Sequence, residues 1–207
     1  MKNLYVGSDK QFKSIQSAID SIPNVMSDDV TIFVDSGSYK EQIKIKNKTG
    51  HAIIIEGIGT ELNEGLPGVK QPLVNVQQIQ AFDIQGVLRI KNIRFVWSDQ
   101  IDNSRGVIHL SRVSYGAVNN CFFDGKTKYN SKESIFYDGS NGSVADTLFN
   151  NQYICINALN SAVITVRSNL HTLNKSQEYI RSTNAIVFDA YKQQLGPVIK
   201  QQSGQVF

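Results

Sequence analysis

Cysteine is scarce in this chain of 207 residues: Cys121 and Cys155 are the only two, so no disulfide framework organises the fold. Each sits in an apolar, strand-like stretch, CFF and YICIN, where a free thiol packs as a small hydrophobe. Long apolar runs are missing as well. No stretch approaches the roughly 18 consecutive apolar residues that a membrane helix needs, and no membrane role is expected. The opening residues, MKNLYVGSDKQ, lack the apolar run of a secretion signal, so synthesis inside a cell is the expectation. Charge is low and mixed, with a net value of +3 and no concentrated Lys/Arg run. Nucleic-acid binding therefore finds no support. The three histidines, His51, His109 and His171, lack metal-ligand spacing, and no phosphate loop or nucleophile elbow is present. Neither a metal nor a cofactor is expected.

What the sequence does contain is one amphipathic helix followed by many short strands. Phe12, Ile15, Ile19 and Ile22 are spaced to fall on one helical face. Ser8 with Gln11 reads as a capping-box start and Pro23 as the stop, which predicts a helix over 8–22. From Val30 onward, β-branched or alternating runs such as VTIFVDSG, EQIKIK and HAIIIEG are punctuated by Gly, Asp or Asn. A second helix is absent, which excludes a doubly wound α/β fold.

A repeat decides among the all-β architectures. The segments Ile90–Phe95, Val118–Phe123, Val144–Phe149 and Val166–His171 share a pattern, and their first residues lie 28, 26 and 22 apart. A variable period in the twenties is the mark of stacked coils. The third column, Asn92, Asn120, Asp146 and Ser168, suits a tight left-handed turn. The sixth, Phe95, Phe123, Phe149 and His171, forms a ladder if coils stack at about 4.8 Å. The fold expected is an all-β, single-stranded right-handed parallel β-helix, one domain over 1–207. The helix over 8–22 caps its amino-terminal end, the coils span 30–190, and 191–207 is a tail. No matching cap is read at the far end, where a partner, a further copy or further chain is expected to cover the open coil.

Residues 12 to 60 resemble the amino-terminal part of pectin methylesterases. FKSIQSAIDSIP matches their opening helix through Phe12, Ile15, Gln16, Ala18, Ile19 and Pro23. TIFVDSGSYKEQIKI matches their first strands through Gly37, Tyr39 and Glu41, and IIIEGIGT continues through Gly57 and Gly59. The resemblance implies the pectin-lyase-like fold, which phage tail spikes and appendages also use. The esterase residues implied by that family do not follow. Arg105-Gly106-Val107-Ile108 stands where its glutamine motif falls, and Gly125-Lys126-Thr127-Lys128-Tyr129 replaces its first aspartate. Asp146 occupies a turn column, and Arg167 is followed by Ser-Asn rather than Pro-Trp.

Two surfaces are expected to matter. Trp97, Asp99, Asp102, Asp124 and Tyr129 cluster at strand ends and loops, where aromatics stack on sugars and carboxylates bind hydroxyls. If Phe95, Phe123 and Phe149 point inward, alternation turns Phe122 and Leu148 outward on adjacent coils, a pair expected to be covered either by the chain's own tail or by another copy in a homotrimer, where they would form the oligomer interface. The expected function is a non-catalytic virion protein: a tail spike, fibre, appendage or capsid decoration. Its expected partners are other virion proteins and a host surface glycan, and its place is the virion, after synthesis in the host cytoplasm. A glycan depolymerase or lyase using Asp99, Asp102 and Asp124 is the enzymatic alternative. A cell-surface adhesin is the third.

Overall fold

In the computed structural model the chain winds as a right-handed parallel β-helix with three strand-bearing faces per coil. The structure describes residues 1–66, 68–96, 106–125, 133–167, 170–172, 176–189 and 196–207. One face, here face A, stacks 37–39, 74–76, Arg94–Val96, Phe122–Asp124, Leu148–Asn150 and His171–Thr172. Face B stacks 42–46, 78–82, 108–111, Glu133–Asp138, Ile154–Leu159, Glu178–Thr183 and Val198–Gln201. Face C runs from Lys2–Val6 and Val30–Val34 through seven more strands to Gln205–Val206.

Alternation along each strand sends every second side chain inward, and parallel register stacks like on like. On face B this makes a ladder of one residue type: Ile43, Ile79, Ile108, Ile135, Ile156 and Ile180 are in register and all buried. Face C contributes Leu4, Ile32, Ile55, Ile90, Val118, Val144 and Val166. Face A adds Phe95, Phe123 and Phe149, with ring centroids 5.0 and 5.3 Å apart and nearly parallel planes. The expected aromatic ladder is therefore present, but His171 does not continue it. Thr172 pairs with Phe149, whereas His171 pairs with Leu148. Five residue steps separate Val166 from His171 against four from Val144 to Leu148, so the longer turn shifts the register by one.

Two columns of left-handed backbone make the corners. Asn92, Asn120 and Asp146 turn the chain from face C to face A at φ of 55, 48 and 48°. Asn120 Nδ2 donates to Asn92 Oδ1 at 2.7 Å, tying successive coils together. Ser168, the fourth member expected, lies outside the described residues. The corner from face B to face C is longer: Asn47, Asp83, Arg112, Gly139, Asn160, Asn184 and Gln202 all have φ between 50 and 58°. Sequence reading missed this second column because Arg112 and Gln202 interrupt an otherwise Asn, Asp and Gly pattern.

The amino terminus departs from expectation. A strand, Lys2–Val6, precedes the helix and pairs in parallel with Val30–Val34. The helix is short, Ile15–Asp20, and its N-cap is Ser14, whose side chain accepts from Ser17 N. Residues 8–13 are a turn because Gly7 N donates to Phe12 O and Phe12 N to Tyr5 O, folding that segment onto the first strand. Ile15, Ala18, Ile19 and Ile22 still enter the core, so the capping role stands. The segment 191–207 is not simply a tail, since Val198–Gln201 and Gln205–Val206 add a partial coil in register. Between faces C and A the strands Thr60–Leu62 and Lys70–Pro72 pair antiparallel, apart from the parallel stack.

Candidate functional site

The outer surface of face A gathers the polar chemistry. Its strands are short, and inward placement of Val76, Phe95 and Phe123 turns Asn75, Arg94 and Phe122 outward in one column. Val96 and Asp124 are in register in the next outward column. Arg94 Nη2 donates to Asp124 Oδ2, and its guanidinium carbon lies 4.9 Å from the Phe122 ring centroid. Asn150 Nδ2 donates to the other oxygen of Asp124 at 3.0 Å. Both oxygens of Asp124 are thus engaged by neighbours.

Above this group lies a cavity of about 320 Å³ lined by Ser38, Tyr39, Lys40, Asn75, Gln77 and Val96. Among the described residues Asn75 Oδ1 has no hydrogen-bond partner and is shut off from solvent, an arrangement that costs free energy. Tyr39 donates its hydroxyl to Asp35 O at 3.0 Å. Burial, followed by the charges of Asp35 and Glu41, raises the Tyr39 pKa above its usual value, so the phenol stays protonated and is no base. Amides, a hydroxyl and an ammonium around one apolar wall suit a hydroxyl-rich ligand. In the outward columns of face A among the described residues, Asp124 is the one carboxylate, and it already carries a cation. An acid–base pair is therefore not assembled there among the described residues.

Of the expected ligand residues, Asp124 is placed on this face. Trp97, Asp99, Asp102 and Tyr129 lie outside the described residues. Phe122 and Leu148 pair in register and stay out of the central core, as alternation requires. The expected interface with another copy is corrected: Phe122 is 3% exposed and Leu148 2%, so the chain itself covers them and they offer no free surface to another copy. His109 packs edge-on between Phe82 and Phe136, at 5.1 and 4.9 Å, as a ring in an outer aromatic stack. Among the described residues no three His, Cys, Asp or Glu side chains converge as a metal site.

A second polar site went unread in the sequence. Lys44, Lys46 and Lys48, together with Gln16, Ile19, Asp20 and Asn24, line a groove of about 460 Å³ between the helix and face B. The signal was the alternation in IKIK, which puts Lys44 and Lys46 on one side of a strand, with Lys48 following the corner at Asn47.

No family model matches the chain, and no curated protein does. Among solved structures it is similar to the deglycosylated pectin methylesterase of Aspergillus niger, at 13% identity and a TM-score of 0.56. That match covers 99% of this chain and 80% of the fungal one. The pectin methylesterase from carrot overlaps more loosely, at 16% identity and a TM-score of 0.43, over 91% of this chain and 72% of that one. The chain thus has the pectin-lyase-like right-handed β-helix fold, as its helix-strand opening implied.

Proposed function

We propose that this protein is a non-catalytic glycan-binding β-helix that holds a sugar on the outer surface of face A. The observation that carries the reading is the cavity beside Arg94 and Asp124. It offers the Ser38 hydroxyl, the Asn75 and Gln77 amides and the Lys40 ammonium next to Val96, with no carboxylate among the described residues of its lining. Such a lining binds hydroxyls and apolar sugar faces, and its described residues include no acid to protonate a leaving group. The similarity to pectin methylesterases supports a carbohydrate ligand at the level of fold analogy alone.

We place this binding in host recognition or structure on a virion, with a cell-surface adhesin as the second setting. The reuse of β-helices in phage appendages supports that setting, and no side chain of this chain argues for it. A homotrimer is not proposed from Phe122 and Leu148, because both are covered within one chain.

A glycan array read with the intact protein, alongside Asn75→Ala and Gln77→Ala, tests the reading. The expected result is retention of one glycan class, weakened at least about tenfold in each variant, as loss of a ligand-facing polar group produces. Release of reducing ends from the bound glycan would sink the non-catalytic reading and favour the depolymerase. Absence of any retained glycan would sink both.

A further inference from the structure

The groove between the helix and face B is built before any ligand arrives. The Glu41 carboxylate accepts from Ile15 N and Gln16 N, both at 2.9 Å, anchoring the start of the helix to the strand Gly37–Gly57. Gln16 then pairs with that strand as a backbone would: its Oε1 accepts from Lys44 N at 2.7 Å and its Nε2 donates to Lys44 O at 3.0 Å. These four bonds fix the width between the walls.

Ile43 and Ile45 point into the core, which turns Lys44 and Lys46 out on the same side, about 6–7 Å apart along the strand. Lys46 Nζ rests 5.7 Å from the Phe82 ring centroid, on the next coil. Lys48 follows the left-handed corner at Asn47 and is only 6% exposed. Its ammonium donates to Ile22 O at 2.5 Å and Asn24 Oδ1 at 3.2 Å, just past the end of the helix, which occupies two of three protons. Burial lowers the Lys48 pKa, with Asp20 the only charge opposing that shift. Among the described residues the groove lining holds three ammonium groups against the single carboxylate of Asp20, a local formal charge of +2.

We propose that this groove is an oxyanion site for a phosphate or sulfate group, free or carried as the ester of a sugar. A tetrahedral oxyanion presents several acceptors to ammonium donors in one small volume, while the Gln16 amide is already spent on Lys44 O and, at 2.8 Å, on Asp20 Oδ1. A phosphate monoester, with close to two negative charges at neutral pH, matches the local charge where a single carboxylate leaves it half compensated. The volume also accommodates a sugar ring beside the anion, with the Gln16 and Asn24 side chains on the groove wall. Nucleic acid is the poorer fit, because the described lining of the groove holds no arginine and the chain's net charge is only +3. The site lies on a different face from the proposed glycan cavity, and neither reading depends on the other.

Isothermal titration of the whole protein tests it, using inorganic phosphate, inorganic sulfate, a hexose 6-phosphate and the parent hexose at constant ionic strength in chloride. Saturable one-to-one binding of phosphate or sulfate is expected, together with no binding of the parent hexose. Lys44→Gln with Lys46→Gln is expected to weaken the anion at least about tenfold while the urea midpoint stays unchanged, as loss of charge-assisted bonds from exposed side chains requires. Lys2→Gln with Lys70→Gln, which removes the same charge elsewhere, is expected to bind as the wild type does. Tighter binding of the hexose phosphate than of phosphate assigns the anion to a sugar ester, and equal binding assigns it to the free ion. The proposal is overturned by an absence of saturable anion binding, by equal weakening in both double variants, or by unchanged affinity in the Lys44/Lys46 variant.

Discussion

Arg112 donates from Nε and Nη2 to the two carboxylate oxygens of Asp83 on the preceding coil, at 2.6 and 2.9 Å, and both residues occupy left-handed corners. An arginine with φ of 53° is disfavoured by its own Cβ. The paired bond holds it there, and it ties two coils at the point where each turns from face B to face C.

Acidification should report this pair. The hydrogen bond from Arg112 holds the Asp83 carboxyl below its ordinary value of 3.8. A carboxylate depressed in the folded state contributes stability that is fully present above its unfolded pKa and is lost as pH falls through its folded pKa. The wild type is therefore expected to lose stability relative to Asp83→Asn only below about pH 4. Both side chains are well exposed, so added salt should shrink the difference. Urea midpoints for the two proteins at neutral pH, near pH 4 and near pH 3 check it, and parallel pH curves would contradict it.

The corner from face C to face A offers a backbone test. Asn120, at φ of 48°, both tolerates the left-handed conformation and donates to Asn92. Asn120→Ala should cost roughly 1–3 kcal/mol from lost bonding and conformational strain together. Asn120→Gly should recover about 1 kcal/mol of that, because glycine adopts this backbone without a Cβ clash. Equilibrium urea denaturation measures both, and an alanine variant as stable as the glycine one would show that the corner carries no strain.

Phe123 sits in the middle of the aromatic ladder, stacked on Phe95 and Phe149 and fully buried. Phe123→Ala is expected to cost about 3–5 kcal/mol, because neighbours stacked in fixed register cannot collapse into the space. A loss under about 1 kcal/mol by denaturation would mean that the ladder repacks freely.

The two thiols should be inert until the chain unfolds. Burial pushes Cys121 and Cys155 each up to about 12, so almost no thiolate forms near pH 8. A chromogenic disulfide reagent is expected to label neither cysteine in the native protein and both in denaturant. Rapid labelling of either in the native state would place that thiol at the surface.

Much of the fold is legible in particular residues. Asn92, Asn120 and Asp146 announce one corner, since only a few residue types bond locally and accept left-handed backbone. Phe95, Phe123 and Phe149 announce the ladder because stacking at strand spacing rewards identity in register. His171 misled because one extra residue in a turn changes which side chain faces inward, and pattern matching across a turn does not count such insertions. The helix over-extended toward Ser8 because Phe12 has helical spacing. In the fold Phe12 instead exchanges backbone bonds with the first strand.

The candidate sites were less legible. Asp124 was singled out as a ligand residue, but its engagement by Arg94 and Asn150 follows from contacts 30 and 26 residues away. Lys44, Lys46 and Lys48 form a site because the helix packs alongside them and closes a groove, a relationship that strand alternation does not encode.

By itself the sequence determined the coil, the spacing of its turns and the inward column of each strand, because these depend on backbone propensity and a period of two. Only the tertiary structure decided which polar residues share a surface and which apolar ones remain exposed. Phe122 and Leu148 are the clearest case: alternation points them outward, yet the folded chain covers them, and burial is a property of what packs alongside rather than of direction alone.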